Sequence, residues 1–193
     1  AISITAFLLT SCTSFMPLTG NTPGGNPQTG DYSERYIQAY YPMAVEQMER
    51  HGIPASITLA QALLEGGAGR SDLVKNANNH FGVKADSRWN GKTYSKFDNG
   101  KYCKFRVYKN TQESYEDHSS FLVSNSRYDF LFNLHKRDYE GWAKGLKKAG
   151  YAEDPQYPEK LINLIEKYGL NKYDSYSRTD IKRVAQKNGV NLG

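Results

Sequence analysis

Hydrophobic residues recur at every third or fourth position over most of the chain, which predicts a largely helical body. The first such repeat extends from Ile37 to Met48 and ends near Gly52. Pro42 interrupts this repeat, so a kink or a pair of short helices is predicted there. Ser56 is predicted to cap the next helix, which leads into a glycine-rich segment in the middle of the chain.

Cap residues mark further helices in the second half of the chain. Asn110 with Glu113 three residues later is typical of a helix start, because the two side chains can satisfy the first backbone N–H groups. The helices are predicted to begin at Asn110, to extend from Asp138 to Gly150 and from Asp154-Pro155 to Gly169, and to cover Ser177 to Gly189.

Between Val83 and Tyr108 the helical repeat is lost, and aromatic residues alternate with polar ones. This alternation predicts two or three short strands with a turn at Asn99-Gly100, a dipeptide that favours tight hairpins. The expected fold class is therefore α+β, with a mostly helical body and a small β lobe bordering a cleft. A fold class of this kind does not by itself identify a function.

The first residues of the chain are similar to the end of a bacterial lipoprotein signal. Ala1 to Thr10 is largely apolar and precedes Cys12, where cleavage would expose the cysteine for lipid attachment. An ordinary secretory signal with an incidental cysteine is the alternative. The apolar run is too short to cross a membrane.

Composition divides the rest of the chain. Residues 13–32 are rich in Gly, Pro, Asn and Thr, which predicts a flexible linker. The predicted organisation is a signal-peptide remnant at 1–12, a linker at 13–32, the main domain at 33–171, and a tail with a short helix at 172–193.

Charge and composition exclude several classes of function. The net charge of +5 is mild, and no stripe of Lys and Arg indicates a nucleic-acid partner. The four histidines lack metal-ligand spacing, so we expect neither a metal nor another cofactor. If Cys12 carries lipid, Cys103 is expected to be a partly buried free thiol. Fifteen tyrosines suit either an aromatic core or a groove that binds sugar rings.

Glu65 is the candidate reactive residue. It follows the apolar pair Leu63-Leu64 at the border of a predicted buried face, and Gly66-Gly67-Ala68-Gly69 comes directly after it. Partial burial and the negative end of a helix dipole both favour the protonated acid, which is what a general acid requires at neutral pH. Taken alone, a glutamate before a glycine-rich helix end is more often a solvated surface residue.

The next segment, Asn78-Asn79-His80-Phe81-Gly82-Val83-Lys84, changes that assessment. Amides bind acetamido and hydroxyl groups, and the ring of Phe81 can stack on a ligand or pack in the core.

At this point the sequence resembles a known family. Ile57 to Ser71 followed by Asn78 to Lys84 is similar to the signature of the bacterial mannosyl-glycoprotein endo-β-N-acetylglucosaminidase-like domain, glycoside hydrolase family 73. Three later blocks agree in order: Phe105-Arg106-Val107-Tyr108, Glu113-Ser114-Tyr115-Glu116-Asp117-His118, and Ala149 to Tyr157. The resemblance covers about residues 33–170.

The resemblance implies a lysozyme-like α+β fold and hydrolysis of peptidoglycan glycan strands at the β-1,4 bond between N-acetylglucosamine and N-acetylmuramic acid. By the family motif, Glu65 is expected to be the general acid, and Tyr151 a cleft tyrosine near the reacting sugar, with core packing as its alternative role. The expected substrate-binding residues are Asn79, Phe81, Gly82 and Tyr94.

The chain departs from the family pattern at the second carboxylate. Family members often carry a glutamate shortly before an Asn-Gly turn, but Ser95 or Lys96 occupies that position here. Asp98 is the acid nearest to it, and it is either the second catalytic group or a residue that sets the turn. If it is structural, the substrate's own acetamido group could act as the nucleophile.

Two other functions remain open at this stage. One is a peptidoglycan-binding lipoprotein with weak or no catalysis, and the other is a lytic transglycosylase, which needs a single acid. In every case peptidoglycan is the expected partner, and a lipid anchor would hold the protein on the periplasmic side of a bacterial membrane. The sequence does not indicate an oligomeric state.

Overall fold

The structure is a computed structural model that describes residues 31–187. The predicted signal remnant, Cys12 and all but the end of the predicted linker lie outside the described residues. Among the described residues, no helix is both long and apolar enough to cross a membrane.

Two helices form the centre of the body. Helix α1 (Tyr32–His51) is continuous, with Pro42 inside it, so the predicted division into two helices is wrong. It ends at Gly52, as predicted, where φ is +78°. Helix α2 (Ala55–Gly66) is the central element, because it packs against α1 and several later elements.

The predicted cap of α2 is also wrong. Pro54 occupies the N-cap position, and Ser56 lies inside the first turn. The carboxylate of Asp174 accepts hydrogen bonds from the Ser56 backbone N–H at 2.8 Å and from its hydroxyl at 2.7 Å. A distant residue therefore performs the capping role, which local sequence could not indicate.

The β lobe follows a short helix, α3 (Asp72–Ala77), that the sequence pattern did not predict. Strands β1 (Thr93–Asp98) and β2 (Lys101–Arg106) form an antiparallel hairpin. The turn is at Asn99-Gly100, where both φ angles are positive, +48° and +81°. The predicted hairpin and its turn are confirmed.

Helices complete the body. Helix α4 (Thr111–Val123) begins at the predicted Asn110 cap, whose side chain accepts from the Glu113 N–H at 2.9 Å. An unpredicted 3₁₀ helix (Ser126–Asn133) leads to α5 (Tyr139–Lys148), which starts at its predicted Asp138 cap.

Helix α6 (Tyr157–Tyr168) starts later than predicted. Pro158 rather than Pro155 lies in its first turn, and Asp154 instead closes a turn by accepting from the Gln156 N–H at 2.9 Å. The helix ends at Gly169, as predicted. A second 3₁₀ helix (Leu170–Ser175) and helix α7 (Arg178–Lys187) follow.

The segment after residue 171 packs against the body. The ring of Tyr173 stacks on Tyr41 of α1, with the centroids 4.8 Å apart. Ile181 of α7 is 5% exposed, and Arg178 binds Glu46 of α1 at 2.9 Å. These contacts join the C-terminal elements to the same hydrophobic core as α1 and α2.

Candidate active site

Glu65 lies in the last turn of α2, beside the start of a left-handed turn. The C-cap residue Gly67 has a φ of +56°. A Cβ atom on Gly66 would lie 2.9 Å from the backbone carbonyl oxygen of His80, so the helix end can approach the following loop only with glycine there. The glycine segment therefore fixes where the Glu65 side chain is placed.

Burial and a neighbouring charge make Glu65 a weak acid. Desolvation is the larger cause, and the negative charge of Asp98 is the second; together they raise the pKa of Glu65 from 4.5 to about 7. The carboxyl group can therefore hold a proton near neutral pH. The predicted desolvation of Glu65 is present, and the charge of Asp98 is a second cause of its raised pKa that the sequence did not predict.

Asp98 ends strand β1, on the strand face that it shares with Tyr94 and Lys96. Its carboxylate forms an ion pair with Lys84, with the Nζ–Oδ2 distance at 2.7 Å. Lys84 lies on the loop that carries the Asn78–Lys84 motif, and its backbone bridges to Phe105 of β2. The loop and the hairpin thus hold Asp98 close enough to Glu65 for its charge to act there.

Tyr151 is half-buried and lies close enough to Glu65 for the two groups to interact electrostatically. It follows Gly150, whose φ is +75°, and its ring stacks on Tyr157 with the centroids 5.7 Å apart. Burial, followed by the charges of Tyr157 and Glu65, raises the pKa of Tyr151 well above its ordinary value. Its hydroxyl group therefore stays protonated and can act as a hydrogen-bond donor.

Two of the predicted substrate-binding residues, Asn79 and Phe81, have buried side chains. Asn79 is 0% exposed, and its amide binds the backbone of Val83 and Arg106: it donates to both carbonyls, at 3.0 and 2.9 Å, and accepts from the Val83 N–H at 3.0 Å. Phe81 is 3% exposed and stacks on His118 at 3.9 Å. The prediction that these two side chains contact the substrate directly is therefore wrong, because the chain itself already encloses both of them.

Gly82 and Tyr94 remain accessible. Gly82 has a φ of +63°, and a Cβ atom there would meet nothing within 4 Å, so the backbone faces open space. Tyr94 is half-buried on the hairpin face that carries Asp98. Both positions stay predictions for substrate contact.

Two supporting contacts at the site were not predicted from the sequence. Gln61 lies one turn before Glu65 on α2 and donates to the Tyr157 hydroxyl at 3.0 Å. Its four-residue spacing from Glu65 was the available signal. The Tyr36 hydroxyl binds His80 Nδ1 at 2.5 Å beneath the glycine segment, and burial lowers the pKa of His80 to about 4, so its ring is neutral.

No group of three or more metal-ligating side chains occurs in residues 31–187. Cys103 is a half-buried free thiol within that range. The site chemistry that the described side chains provide is acid–base chemistry centred on Glu65.

Comparison with known proteins places the chain among bacterial cell-wall enzymes. A profile described as mannosyl-glycoprotein endo-β-N-acetylglucosaminidase matches residues 41–170. Peptidoglycan hydrolase FlgJ of Vibrio parahaemolyticus is 35% identical over 153 residues, which is 73% of this chain and 49% of that protein. Exo-glucosaminidase LytG of Bacillus subtilis is 36% identical over 135 residues, 65% of this chain and 48% of that protein.

A solved structure agrees with the fold. The crystal structure of a peptidoglycan hydrolase from Sphingomonas sp. A1 superposes with a TM-score of 0.64 at 28% identity, covering 74% of this chain and 95% of that one. The fold is thus α+β, mostly helical, with a two-stranded lobe, as predicted. The chain spans about half the length of the curated relatives described above.

Proposed function

The chain belongs to the mannosyl-glycoprotein endo-β-N-acetylglucosaminidase family, and from this membership we propose that its domain hydrolyses peptidoglycan. The bond cleaved is the β-1,4 linkage between N-acetylglucosamine and N-acetylmuramic acid. The observation that carries the proposal is Glu65, a carboxyl group with a pKa of about 7 at the border of the β lobe. Relatives of the chain that are named as peptidoglycan hydrolases support peptidoglycan as the substrate.

Glu65 acts as the general acid. At neutral pH a substantial fraction of its side chain is protonated, so it can donate a proton to the glycosidic oxygen as the bond breaks. The glycine segment after it packs closely against His80 and Tyr36 and so fixes the end of α2. The protonated hydroxyl of Tyr151 stands on the helical side of the site, where it can donate to the substrate.

Asp98 is the second catalytic carboxylate in this proposal. Its ion pair with Lys84 holds it on the lobe side of the site, and its effect on Glu65 supports a shared site. A glycosidase of this type uses such a carboxylate either to activate water or as the nucleophile. Gly82 and Tyr94, which lie on the same lobe, are the proposed substrate contacts.

The proposed location is outside the cytoplasm, on the periplasmic side of a bacterial membrane. Cys12 would carry a lipid, and residues 13–32 would link the anchor to the catalytic domain that begins at residue 33. Cell-wall hydrolases among the relatives support an extracytoplasmic location. Mass spectrometry of the protein purified from a bacterial host tests the anchor, since Cys12→Ser must lack the lipid mass and an unmodified wild type contradicts the anchor.

Clearing of peptidoglycan in a gel overlay tests the function. Wild type is expected to clear the substrate, and Glu65→Gln to lose about a hundredfold or more of this activity, because a general acid contributes 10²–10⁴-fold. Glu159→Gln, an exposed glutamate on α6, is the matched control. Equal clearing by wild type and Glu65→Gln would overturn the assignment, and no clearing by wild type would overturn the function.

The role of Asp98 is tested in the same assay. Asp98→Asn is expected to lower the rate of clearing by at least tenfold, because water activation or nucleophilic attack is lost. An unchanged rate would instead assign this step to the acetamido group of the substrate.

A further inference from the structure

The hairpin exposes an aromatic pair on the side away from Glu65. Phe97 is 60% exposed and Tyr102 is 79% exposed, which is unusual for rings of this size. The two residues are directly opposite each other across β1 and β2, and their rings meet edge to face with the centroids 5.4 Å apart. Neither ring contributes to the hydrophobic core.

Strand geometry places this pair on a separate face. Successive side chains of a strand point to opposite sides, so Phe97 faces away from its neighbour Asp98. On the partner strand, Tyr102, Lys104 and Arg106 occupy alternate positions of the same outer side. We name the side formed by Ser95, Phe97, Tyr102 and Lys104 the outer hairpin face. Along β2, this side of the hairpin continues from Tyr102 to Arg106, a distance of roughly 14 Å.

The outer hairpin face carries uncompensated positive charge. Lys104 is exposed and forms no ion pair with any side chain in the described part of the chain, whereas Lys101 is directly opposite Asp98 and lies on the inner side. The acid of the hairpin, Asp98, is already bound by Lys84 on the inner side. An anion that approaches this face would therefore meet Lys104 without having to displace a carboxylate.

The far end of this side is held by contacts of Arg106. Arg106 donates to both carboxylate oxygens of Asp117, each at 2.9 Å, and its guanidinium lies over the ring of Trp89 at 4.9 Å. The buried Nε of Arg106 has no hydrogen-bond partner within residues 31–187. Trp89 and Arg106 line a surface pocket with Arg88 at the base of the hairpin.

We propose that the outer hairpin face is a second binding site for the anionic glycan–peptide polymer of peptidoglycan, separate from the catalytic cleft. This inference rests on the proposed function and extends it from the cleaved bond to the surrounding polymer. The rings of Phe97 and Tyr102 stack on sugars, since an apolar ring face suits the apolar side of a pyranose. Lys104 contacts a carboxylate of the peptide stems.

The shape of the surface favours a polymer over a lipid bilayer. Aromatic and basic side chains form an elongated row along β2 that ends in a polar pocket. Insertion into a bilayer instead needs a broad apolar face. The row also lies on the lobe that carries Asp98 on its other side. A sheet of cross-linked polymer can therefore contact the outer hairpin face while one of its strands occupies the cleft.

Binding to purified, insoluble peptidoglycan sacculi tests the proposal. The measurement uses Glu65→Gln as the parent, so that binding is read without cleavage, and sedimentation gives the bound fraction. Phe97→Ser with Tyr102→Ser in this parent is expected to weaken binding about tenfold, from the loss of two stacking contacts. Lys104→Gln is expected to reduce the salt dependence of binding.

The matched control is Phe130→Ser, which removes an exposed aromatic residue on the 3₁₀ helix, and thermal unfolding verifies that every variant is folded. The same hairpin substitutions, made with Glu65 intact, should leave the cleavage of short soluble glycan fragments at the wild-type rate. Unchanged binding to sacculi would overturn the second site while leaving the proposed function intact. Hairpin-dependent binding to phosphatidylglycerol vesicles without binding to sacculi would replace the polymer with a membrane. Loss of cleavage by the wild type would overturn the proposed function itself.

Discussion

At the scale of single residues, the site depends on holding one carboxyl group in an unfavourable place. Glu65 is buried beside another acid, so the folded chain must either protonate it or accept the cost of a buried charge. Its pKa is raised, which means that the folded state binds the proton more tightly than the unfolded state does. Stability should therefore fall as the pH rises from about 4.5 through 7.

Glu65→Gln is accordingly expected to stabilise the protein at alkaline pH. The two proteins should be about equally stable at pH 4, and the variant should gain up to about 3 kcal/mol above pH 7, since each pKa unit corresponds to about 1.4 kcal/mol. Chemical denaturation at a series of pH values measures this. Asp174, whose pKa is raised to about 6 by burial, is common to both proteins and cancels in the difference. A difference that does not change between pH 4 and pH 8 would contradict the raised pKa.

At the scale of elements, the position of α2 depends on a residue far along the chain. Asp174 binds the first turn of the helix that ends in Glu65. Asp174→Ala should lower the free energy of unfolding by about 1–3 kcal/mol, because two donors of Ser56 lose their acceptor in a buried place.

Asp174→Asn is the matched variant, since its amide oxygen can retain one of the two bonds. Both variants should keep the wild-type kcat when assayed well below their melting temperatures, because the contact lies at the opposite end of α2 from the acid. Calorimetry gives the loss of stability. A variant that loses kcat without losing stability would contradict this role.

The same element shows how far sequence patterns reach. Gly52, Asn99-Gly100, Asn110, Asp138 and Gly169 act within a few residues, and each has its predicted structure. Pairing by distant residues is not visible in such patterns, which explains the error at Ser56. At the start of α6, Asp154 closes a local turn with Gln156, so the helix begins later than its Asp-Pro pair predicts.

Site residues follow a similar rule. Glu65 was found because its helix position and its glycines are adjacent in sequence. The residue types of Asn79 and Phe81 predict that they bind the substrate. In the structure, however, Val83, Arg106 and His118 enclose their side chains. Whether a polar or aromatic side chain faces a ligand depends on what packs around it, and one sequence does not contain that information.

At the scale of the whole molecule, the C-terminal segment is part of the folded body. Tyr173 and Asp174 are buried, and α7 covers α1 through Ile181 and Arg178. The catalytic unit that can fold by itself is therefore expected to extend beyond residue 171.

Two truncations test this. A chain that ends at residue 176 lacks α7 but keeps Tyr173 and Asp174. It should fold and remain active with a melting temperature lowered by about 5–10 °C, from the loss of roughly 2–3 kcal/mol of apolar burial. A chain that ends at residue 171 also lacks Tyr173 and Asp174 and should be unfolded or strongly destabilised. Equal melting temperatures for both truncations and the full chain would contradict the contribution of these contacts.

The most direct test of the central claim is mass spectrometry of the fragments released from purified peptidoglycan. Wild type is expected to release fragments with a reducing N-acetylglucosamine end, and Glu65→Gln to release at least a hundredfold less in the same time. Fragments ending in anhydro-N-acetylmuramic acid would instead identify a lytic transglycosylase. Equal release by Glu65→Gln would contradict the assignment of Glu65 as the general acid.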